Sequence, residues 1–480
     1  MSSTTPSPKR SRLARVAIAI TVALALLVVV VFAGGYLIYR HLNGNITVDN
    51  SANKVLRQSA SKDPGAGTTD LPPMNILVMG SDTRVGQNGI GGSAATGGGG
   101  SDVTMLVHLS GNRKRALVMS IPRDTWTLIP ACKQKDGTLS QPHYFKFNSA
   151  YTIGGPACTI KLVTQMTGIP IDHFIVVNFS GFENIINAVG GVPVCLTHAV
   201  NDPAVVGQGS GLQLSAGTHL LMGTQALEFV RLRHNIDDGS DTSRIPRQHA
   251  FLSSMIRKVH EDNLLLHPVQ LLQVLDAATK SLTTDPGLGN LIALKDLAQS
   301  LTGLKPSAVT FLTVPWAPRG DGANIVIKQA VAQPIYDAII HDTAWPLPAY
   351  APPGAPLTEQ PTSIHVHVIN ATGISGRGQA VADQLQALGY QISSVTTGPV
   401  TTATAVRYPT GFPESARTLA ASVVGATEVL DTTLGGNQLE LVVGPNFTSV
   451  RPVIVKTTAA GVSTSGSTQI RSGSDASCVG

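Results

Sequence analysis

From Val16 to Tyr39 the chain runs for 24 residues without a charged side chain, dominated by Val, Ala, Leu and Ile. As a helix that run is about 36 Å long, enough to cross a hydrocarbon core of about 30 Å. No other feature constrains the fold as strongly, because it divides the chain between two compartments. Lys9, Arg10, Arg12 and Arg15 precede the run, so their charge predicts residues 1–15 in the cytoplasm and the body outside the cell membrane. A signal peptide is the competing reading. The run exceeds a typical signal core, and Gly34-Gly35-Tyr36 and Ile38-Tyr39-Arg40 do not make a small-residue cleavage site. The expectation is an uncleaved single-pass anchor over 16–39.

That topology changes what the composition means. The formal net charge is +5, of which the four basic residues before the anchor carry four, leaving +1 for the rest with no basic stripe. A nucleic-acid-binding function is excluded on that ground. Cys132, Cys158, Cys195 and Cys478 all lie beyond the anchor, where an oxidising compartment permits disulfides in any of three complete pairings. Cys132–Cys158 is the expected bridge, since the two flank one structural unit in loop-like segments. No CxxC or metal-type cysteine spacing occurs, which argues against a catalytic thiol.

Residues 40–73 read as a polar stalk. From 74 to 343, short apolar runs alternate with helical periodicities, the pattern of an α/β sandwich. Met74 to Gly80 is a buried strand that leads into Ser81-Asp82-Thr83-Arg84. Residues 86–100 lack phosphate-loop spacing and read as a flexible Gly-rich insertion. Val103 to Leu109, opened by Ser101-Asp102, and Arg115 to Ile121, ending in Pro122-Arg123-Asp124, are further strands. Ligands of open α/β sheets bind outside strand ends, so these three carboxylate-bearing ends mark a candidate site. A turn or helix-cap role is the plain alternative for each Asp. Residues 344–361, with six prolines, form a semi-rigid linker. A smaller α/β domain is expected over 362–448 and a disordered Ser/Thr/Gly-rich tail over 449–480. His365 and His367 share a strand face there, without a third metal ligand.

The densest charge pattern lies between Thr224 and Phe251. An amphipathic helix through Ala226, Leu227, Phe229 and Val230 breaks at an Asp/Gly/Ser loop. Pro246 fits the first turn of a second helix continuing through Arg247 and Gln248. Arg231, Arg233, Arg244 and Arg247 surround the break, near Asp237, Asp238 and Asp241. The arginine fork stays charged and suits a bidentate grip on phosphate oxygens. Taken alone, a self-neutralising solvated loop fits the segment equally well.

Together these motifs resemble the LytR-CpsA-Psr family of membrane-anchored cell-wall ligases. The resemblance rests on NILVMGSDTR (75–84), SDVTMLVHL (101–109), SIPRDTW (120–126), KFNSAY (146–151), GIPIDHFIVVNFSGF (168–182), GTQALEFVRLRH (223–234) and DTSRIPRQ (241–248). HVHVINATGISGRGQAVADQLQALGY, from His365, is similar to the opening of the LytR C-terminal domain. The resemblance implies an α-β-α sandwich with a mixed central sheet, plus a smaller C-terminal α/β domain, behind one transmembrane helix. It also implies an extracytoplasmic phosphotransferase that moves a glycopolymer from a polyprenyl-pyrophosphate carrier to a peptidoglycan muramic-acid hydroxyl, forming a phosphodiester. Arabinogalactan is the expected glycan if the source is actinobacterial, and cleavage of pyrophosphate lipids is an expected side activity.

Carried over residue by residue, Asp82 and Asp102 would hold Mg²⁺, with Mn²⁺ an alternative. Arg84, Arg123, Arg231, Arg233, Arg244 and Gln248 would grip the pyrophosphate. The catalytic set is Arg123, Arg231, Arg233, Arg244 and Asp241, with Asp124 and Asp241 open between acting as base and orienting arginines. Lys146 and Arg247 are weaker phosphate candidates. The chemistry agrees: phosphoryl transfer is mostly positioning and charge neutralisation, and Mg²⁺ typically takes one or two carboxylates beside substrate phosphates. Two departures stand out, the long Gly-rich stretch between the paired Asp residues and Val103 where the family commonly has Thr. A non-catalytic binder of lipid-linked glycan or wall polymer, recruiting partners in envelope assembly, is the alternative function. Transcriptional attenuation conflicts with the predicted topology.

Overall fold

The computed structural model describes residues 9–60, 71–81, 100–134, 136–202, 210–232, 241–262, 267–345, 357–453, 455 and 470–479. Its first element, α1 (Lys9–Asn45), extends past the apolar run. Within it, Ile20–Asn45 is long and apolar enough to cross a membrane, and the side chains of Leu24 to Phe32 are exposed to whatever surrounds the helix. Its last turn behaves differently: Leu42 is buried, as is Ile46 just beyond. β1 (Thr47–Val48) then pairs with a strand of the main sheet, and Ala52 and Leu56, the latter on α2 (Asn53–Ala60), enter the main core. The stalk expected over 40–73 is therefore folded domain as far as residue 60, because these apolar residues find a surface to cover.

β2 (Met74–Ser81), β3 (Ser101–Leu109) and β4 (Ala116–Ile121) follow, then the hairpin β5 (Trp126–Ile129) and β6 (His143–Lys146), which carries no clean sequence alternation. Next come α3 (Ser149–Thr167), β7 (His173–Asn178), α4 (Phe179–Val189), β8 (Val192–Leu196), β9 (Val200–Asn201), β10 (Gln213–Leu214), β11 (Gly217–Leu221) and α5 (Gly223–Arg231). The domain continues with α6 (Asp241–Glu261), α7 (Pro268–Ser281), β12 (Leu282–Thr284), α8 (Leu291–Ser300), β13 (Val309–Thr313), β14 (Trp316–Pro318), β15 (Ile325–Ile327) and α9 (Gln329–Ile340).

The central sheet runs β1-β12-β7-β2-β3-β4-β13, with β2–β7 and β4–β13 parallel and β2–β3 and β3–β4 antiparallel. Its strands are apolar on both faces, as a sheet covered by helices on each side requires. Alternation sends Leu77, Met79, Leu106 and Met119 into one core with residues of α3 and α9. Ile76, Met105, Val118 and Phe311 go the other way, against Leu252 and Ile256 of α6 and Leu297 of α8. This is the α-β-α sandwich with a mixed sheet.

α3 is kinked where Gly154 and Gly155 leave helical geometry just before Pro156. A Cβ on Gly154 would lie 2.9 Å from the Cys158 Cβ and from the Lys133 carbonyl oxygen; that close approach accommodates the Cys132–Cys158 disulfide. The expected pairing forms, with Cys158 on the helix rather than in a loop.

A second core belongs to β16 (His365–Asn370), α10 (Arg377–Ala387), β17 (Gln391–Thr397), β18 (Ala405–Tyr408), α11 (Pro413–Ser422), β19 (Thr427–Leu430) and β20 (Gln438–Val443). These strands form their own sheet in the order β17-β16-β20-β18-β19. His367 is satisfied locally by Thr396 at 2.8 Å and Glu440 at 3.5 Å.

The expected disordered tail gives way at its end. β21 (Ile470–Ser472) pairs antiparallel with β13 and extends the main sheet, and Cys478 is bonded to Cys195 on β8. A three-residue strand in a Ser/Gly-rich context has no periodicity to read; a covalent bond across 283 positions holds it in place.

Candidate active site

Antiparallel pairing turns three separate motifs into one edge. Ser81 at the end of β2 pairs with both Ser101 on β3 and Asn178 on β7, while Thr104 pairs with Ile121 at the end of β4. The end of β7, the exit of β2, the start of β3 and the exit of β4 therefore lie side by side. At about 4.8 Å per strand this edge is about 14 Å wide.

On that edge the Arg123 guanidinium donates to the Asp102 carboxylate at 2.6 Å, both side chains being more than four-fifths buried. Asp124 lies 3.9 Å from Arg123 and accepts from the Lys146 ammonium at 2.8 Å, so its contacts here are those of a group that orients cations. Phe147 and Asn148, which follow Lys146, donate backbone N–H bonds to Thr125 and Arg123. The hairpin is thereby stitched to the turn that carries Arg123 and Asp124.

The helix α6 closes the cleft. Arg244, Ile245 and Gln248 line it together with Asp102, Val103, Thr104, Ser120, Ile121, Pro122 and Arg123. Asp241 is already helical, so Pro246 sits inside the helix rather than in its first turn. Arg247 is buried and donates to the Leu232 carbonyl at 2.7 Å, and Gln248 donates to that of Val230 at 3.2 Å. Both thereby satisfy carbonyls at the C-terminal end of α5, the groups a helix end leaves without partners. Arg247 is a brace between the two helices, and Gln248 combines that bond with a place on the cleft wall. Arg231, at the end of α5, lies over the Phe179 ring at 4.7 Å, a cation–π contact at the β7 end of the same edge.

Beneath the cleft, His249 Nε2 and the Ser120 hydroxyl are 2.8 Å apart and both groups are buried. Burial, and secondarily the positive charge of Arg471, pushes the His249 imidazole down to about 3, so it is neutral at physiological pH. Its ring also packs on Phe311 of β13 at 5.4 Å between centroids. Neither His249 nor Phe179 was legible as part of the site: each is a single residue inside an otherwise apolar or helical run.

Of the sequence-predicted residues, the structure brings Asp102, Arg123, Arg244 and Gln248 around one cleft and Arg231 to its edge. Asp82, Arg84, Arg233, Asp237 and Asp238 lie outside the described residues, as does the Gly-rich stretch from 86 to 99, and Asp241 is described only as the first residue of α6. No cluster of three His, Cys, Asp or Glu side chains suited to a metal occurs among the described residues.

The domain is thus an α/β sandwich with a mixed sheet, with arginines and carboxylates gathered at its strand ends. The chain belongs to the LytR-CpsA-Psr family: the LytR_cpsA_psr family model matches residues 38–343, and that of the LytR cell envelope-related transcriptional attenuator matches 363–447. The cell wall biosynthesis protein LcpA of Corynebacterium glutamicum is 30% identical over 317 residues, covering 61% of this chain and 59% of LcpA. The polyisoprenyl-teichoic acid–peptidoglycan teichoic acid transferase TagV of Bacillus subtilis is 29% identical over 280 residues, 58% of this chain and 65% of TagV. The chain thus spans less than two thirds of these relatives' lengths. Among solved structures, a LytR-Csp2A-Psr enzyme from Actinomyces oris superposes with a TM-score of 0.42 at 23% identity, covering 57% of this chain and 95% of that one.

Proposed function

We propose that this protein is a membrane-anchored phosphotransferase that moves a glycopolymer from a polyprenyl-pyrophosphate carrier to peptidoglycan. The observation that carries the reading is the cleft where the Asp102–Arg123 pair on the sheet edge meets Arg244 and Gln248 from α6. The named function of TagV, a polyisoprenyl-linked transferase to peptidoglycan, supports the same class. If the source is actinobacterial, as is that of LcpA, arabinogalactan is the glycan we infer.

In the proposed reaction a peptidoglycan hydroxyl attacks the phosphorus nearer the glycan. A new P–O bond forms to the acceptor, the P–O bond to the polyprenyl phosphate breaks, and that phosphate leaves with the bond's electron pair. The acceptor's proton passes to a base. Arg123, Arg244 and Arg231, with Arg84 and Arg233 beyond the described residues, neutralise the pyrophosphate and hold its oxygens in line, which is most of what phosphoryl transfer needs. Asp124 fixes Arg123 and Lys146, leaving Asp241 as the candidate base. The hard carboxylate of Asp102 fits Mg²⁺, or Mn²⁺ as an alternative; with Asp82 it would hold the ion, whose chemical contribution is to offset charge on the transferring phosphate.

The test is Mg²⁺-dependent turnover of a polyprenyl-pyrophosphate glycan by the full chain, with Arg244→Ala expected to abolish it. Full turnover by that variant removes Arg244 from the site. Mass spectrometry of co-purified lipid identifies the class independently: a polyprenyl pyrophosphate supports the reading. Bound lipid or wall polymer without any cleavage would favour the non-catalytic binder.

A further inference from the structure

The anchor does not hang from the domain; it is docked along it. His41 bonds Asp276 of α7 at 2.9 Å, Asn45 reaches Asp276 and Thr279 at 3.2 and 3.4 Å, and Thr47 pairs with Thr283. Position rises together on the two segments, so α7 and β12 run parallel to α1 and β1. Followed backwards, the first turns of α7 return along α1 toward its apolar run. At 1.5 Å per residue Leu272 lies about 6 Å and Val269 about 10 Å before Asp276, level with Leu37 and Gly34 on α1. Tyr36 and Tyr39, both exposed, stand at the same height, where aromatic residues mark a membrane interface.

At this height the domain is apolar. Val269 is 71% exposed and Leu272 40%. Gln270 donates to the carbonyl of Val189 at the end of α4. Two residues on, Gly191 is packed so closely against Met222 and Leu220 that a Cβ there would lie 2.7 Å from Sδ and 3.1 Å from Cγ. Leu220 and Met222 are themselves 56% and 40% exposed. Four large apolar side chains, two from α7, one from β11 and one from the residue that caps α5, thus form one rim beside the helix that leaves the bilayer.

We propose that Val269, Leu272, Leu220 and Met222 form a lipid-contacting rim seated in the interface of the leaflet from which α1 emerges, fixing the domain's height and tilt on the membrane. The occupant is the lipid surface because the rim is continuous with a membrane-crossing helix and held to it by the His41, Asn45 and Thr47 contacts. The inference rests on α1 spanning the bilayer.

The test uses the full chain in lipid nanodiscs, with one new cysteine at a time labelled by an environment-sensitive fluorophore and quenched by lipids carrying shallow or deep nitroxides. The four native cysteines are disulfide-bonded and do not react. Val269→Cys and Leu220→Cys should be quenched most by shallow nitroxides, Leu26→Cys by deep ones, and Val400→Cys in the second domain by neither. If Leu26→Cys is quenched while both rim probes match Val400→Cys, the rim is overturned and the anchor stands. An unquenched Leu26→Cys overturns the anchor and the rim with it. Rim probes that report energy transfer between labelled copies, without lipid quenching, show a second copy as the occupant and also overturn the proposal.

Discussion

His249 gives the sharpest quantitative handle on the site, because its protonation would break the layer on which the cleft rests. The imidazole is 1% exposed and bonded to Ser120, one position along α6 from Gln248 and five from Arg244. Its pKa falls from 6.5 in the unfolded reference to about 3 in the fold, through burial first and Arg471 second. The unfolded chain therefore binds the extra proton, and stability rises with pH across this window. The penalty begins as pH drops below 6.5 and is complete near 3. At pH 5 the two values imply a loss of about 2 kcal/mol, which for a domain of this size lowers Tm by about 3–4 °C.

The perturbation is His249→Gln, which keeps a hydrogen-bonding group for the Ser120 hydroxyl and cannot titrate. Thermal unfolding of wild type and variant is compared at pH 7 and pH 5 in the same detergent or nanodisc. Other groups, such as Asp285 and Asp342, titrate equally in both proteins and cancel. The wild type is expected to lose about 3–4 °C more than the variant between the two pH values. Parallel losses would refute the reasoning, since they would mean that His249 takes up its proton without cost.

Two further outcomes follow from the same geometry. Arg123→Lys keeps the charge but loses the planar fork that grips Asp102 and, in the proposed reaction, a phosphate; turnover of a polyprenyl-pyrophosphate glycan should fall at least about tenfold, on the order of 1.4 kcal/mol or more of transition-state stabilisation. Replacing Cys195 and Cys478 together by Ser should cost about 2–5 kcal/mol and make residues 470–479 sensitive to limited proteolysis, while the Cys132/Cys158 double variant leaves that segment protected.

The sequence was most legible where a local pattern and its structural consequence coincide. The strands from Met74, Val103 and Arg115, the helix closed by Gly190, and the alternation within 362–448 are all set by side-chain period and terminating glycines, and they appear within a few residues of expectation. Asp102, Arg123 and Arg244 were singled out by their motifs, and the fold gathers them around one cleft. Other features depended on distant partners. Leu42, Ile46 and Ala52 look like scattered apolar residues in a polar stretch until α7, β12 and the main core supply surfaces for them. The inward turn of Arg247 depends on the free carbonyl of Leu232, which becomes available only where α5 stops. β21 is held by a disulfide that three possible pairings left open.

The docking of α1 also bears on how the proposed lipid-linked donor would reach the cleft. α7 passes directly into β12, and Leu282 pairs with Val177, one residue before the end of β7. The end of α7 therefore stands at the site's own edge of the sheet, while its beginning carries the rim. From Val269 to Ser281 the helix rises about 18 Å, so in the proposed reaction the pyrophosphate of a bilayer-resident donor would be lifted by a comparable distance, less any tilt of the domain. Seating the rim deeper or tilting the domain shortens that lift. Val269→Asp with Leu272→Asp would remove two apolar contacts with lipid, worth about 2–3 kcal/mol together if fully buried, and bias the domain away from the surface. Turnover of a long-chain donor embedded in nanodiscs should then fall by roughly tenfold or more. A short-chain, water-soluble polyprenyl-pyrophosphate donor reaches the cleft without that lift, and its turnover should be unchanged. Equal losses on both donors would show that the two substitutions damage the site itself, and α7 would then be a packing element with no role in presenting the site to lipid.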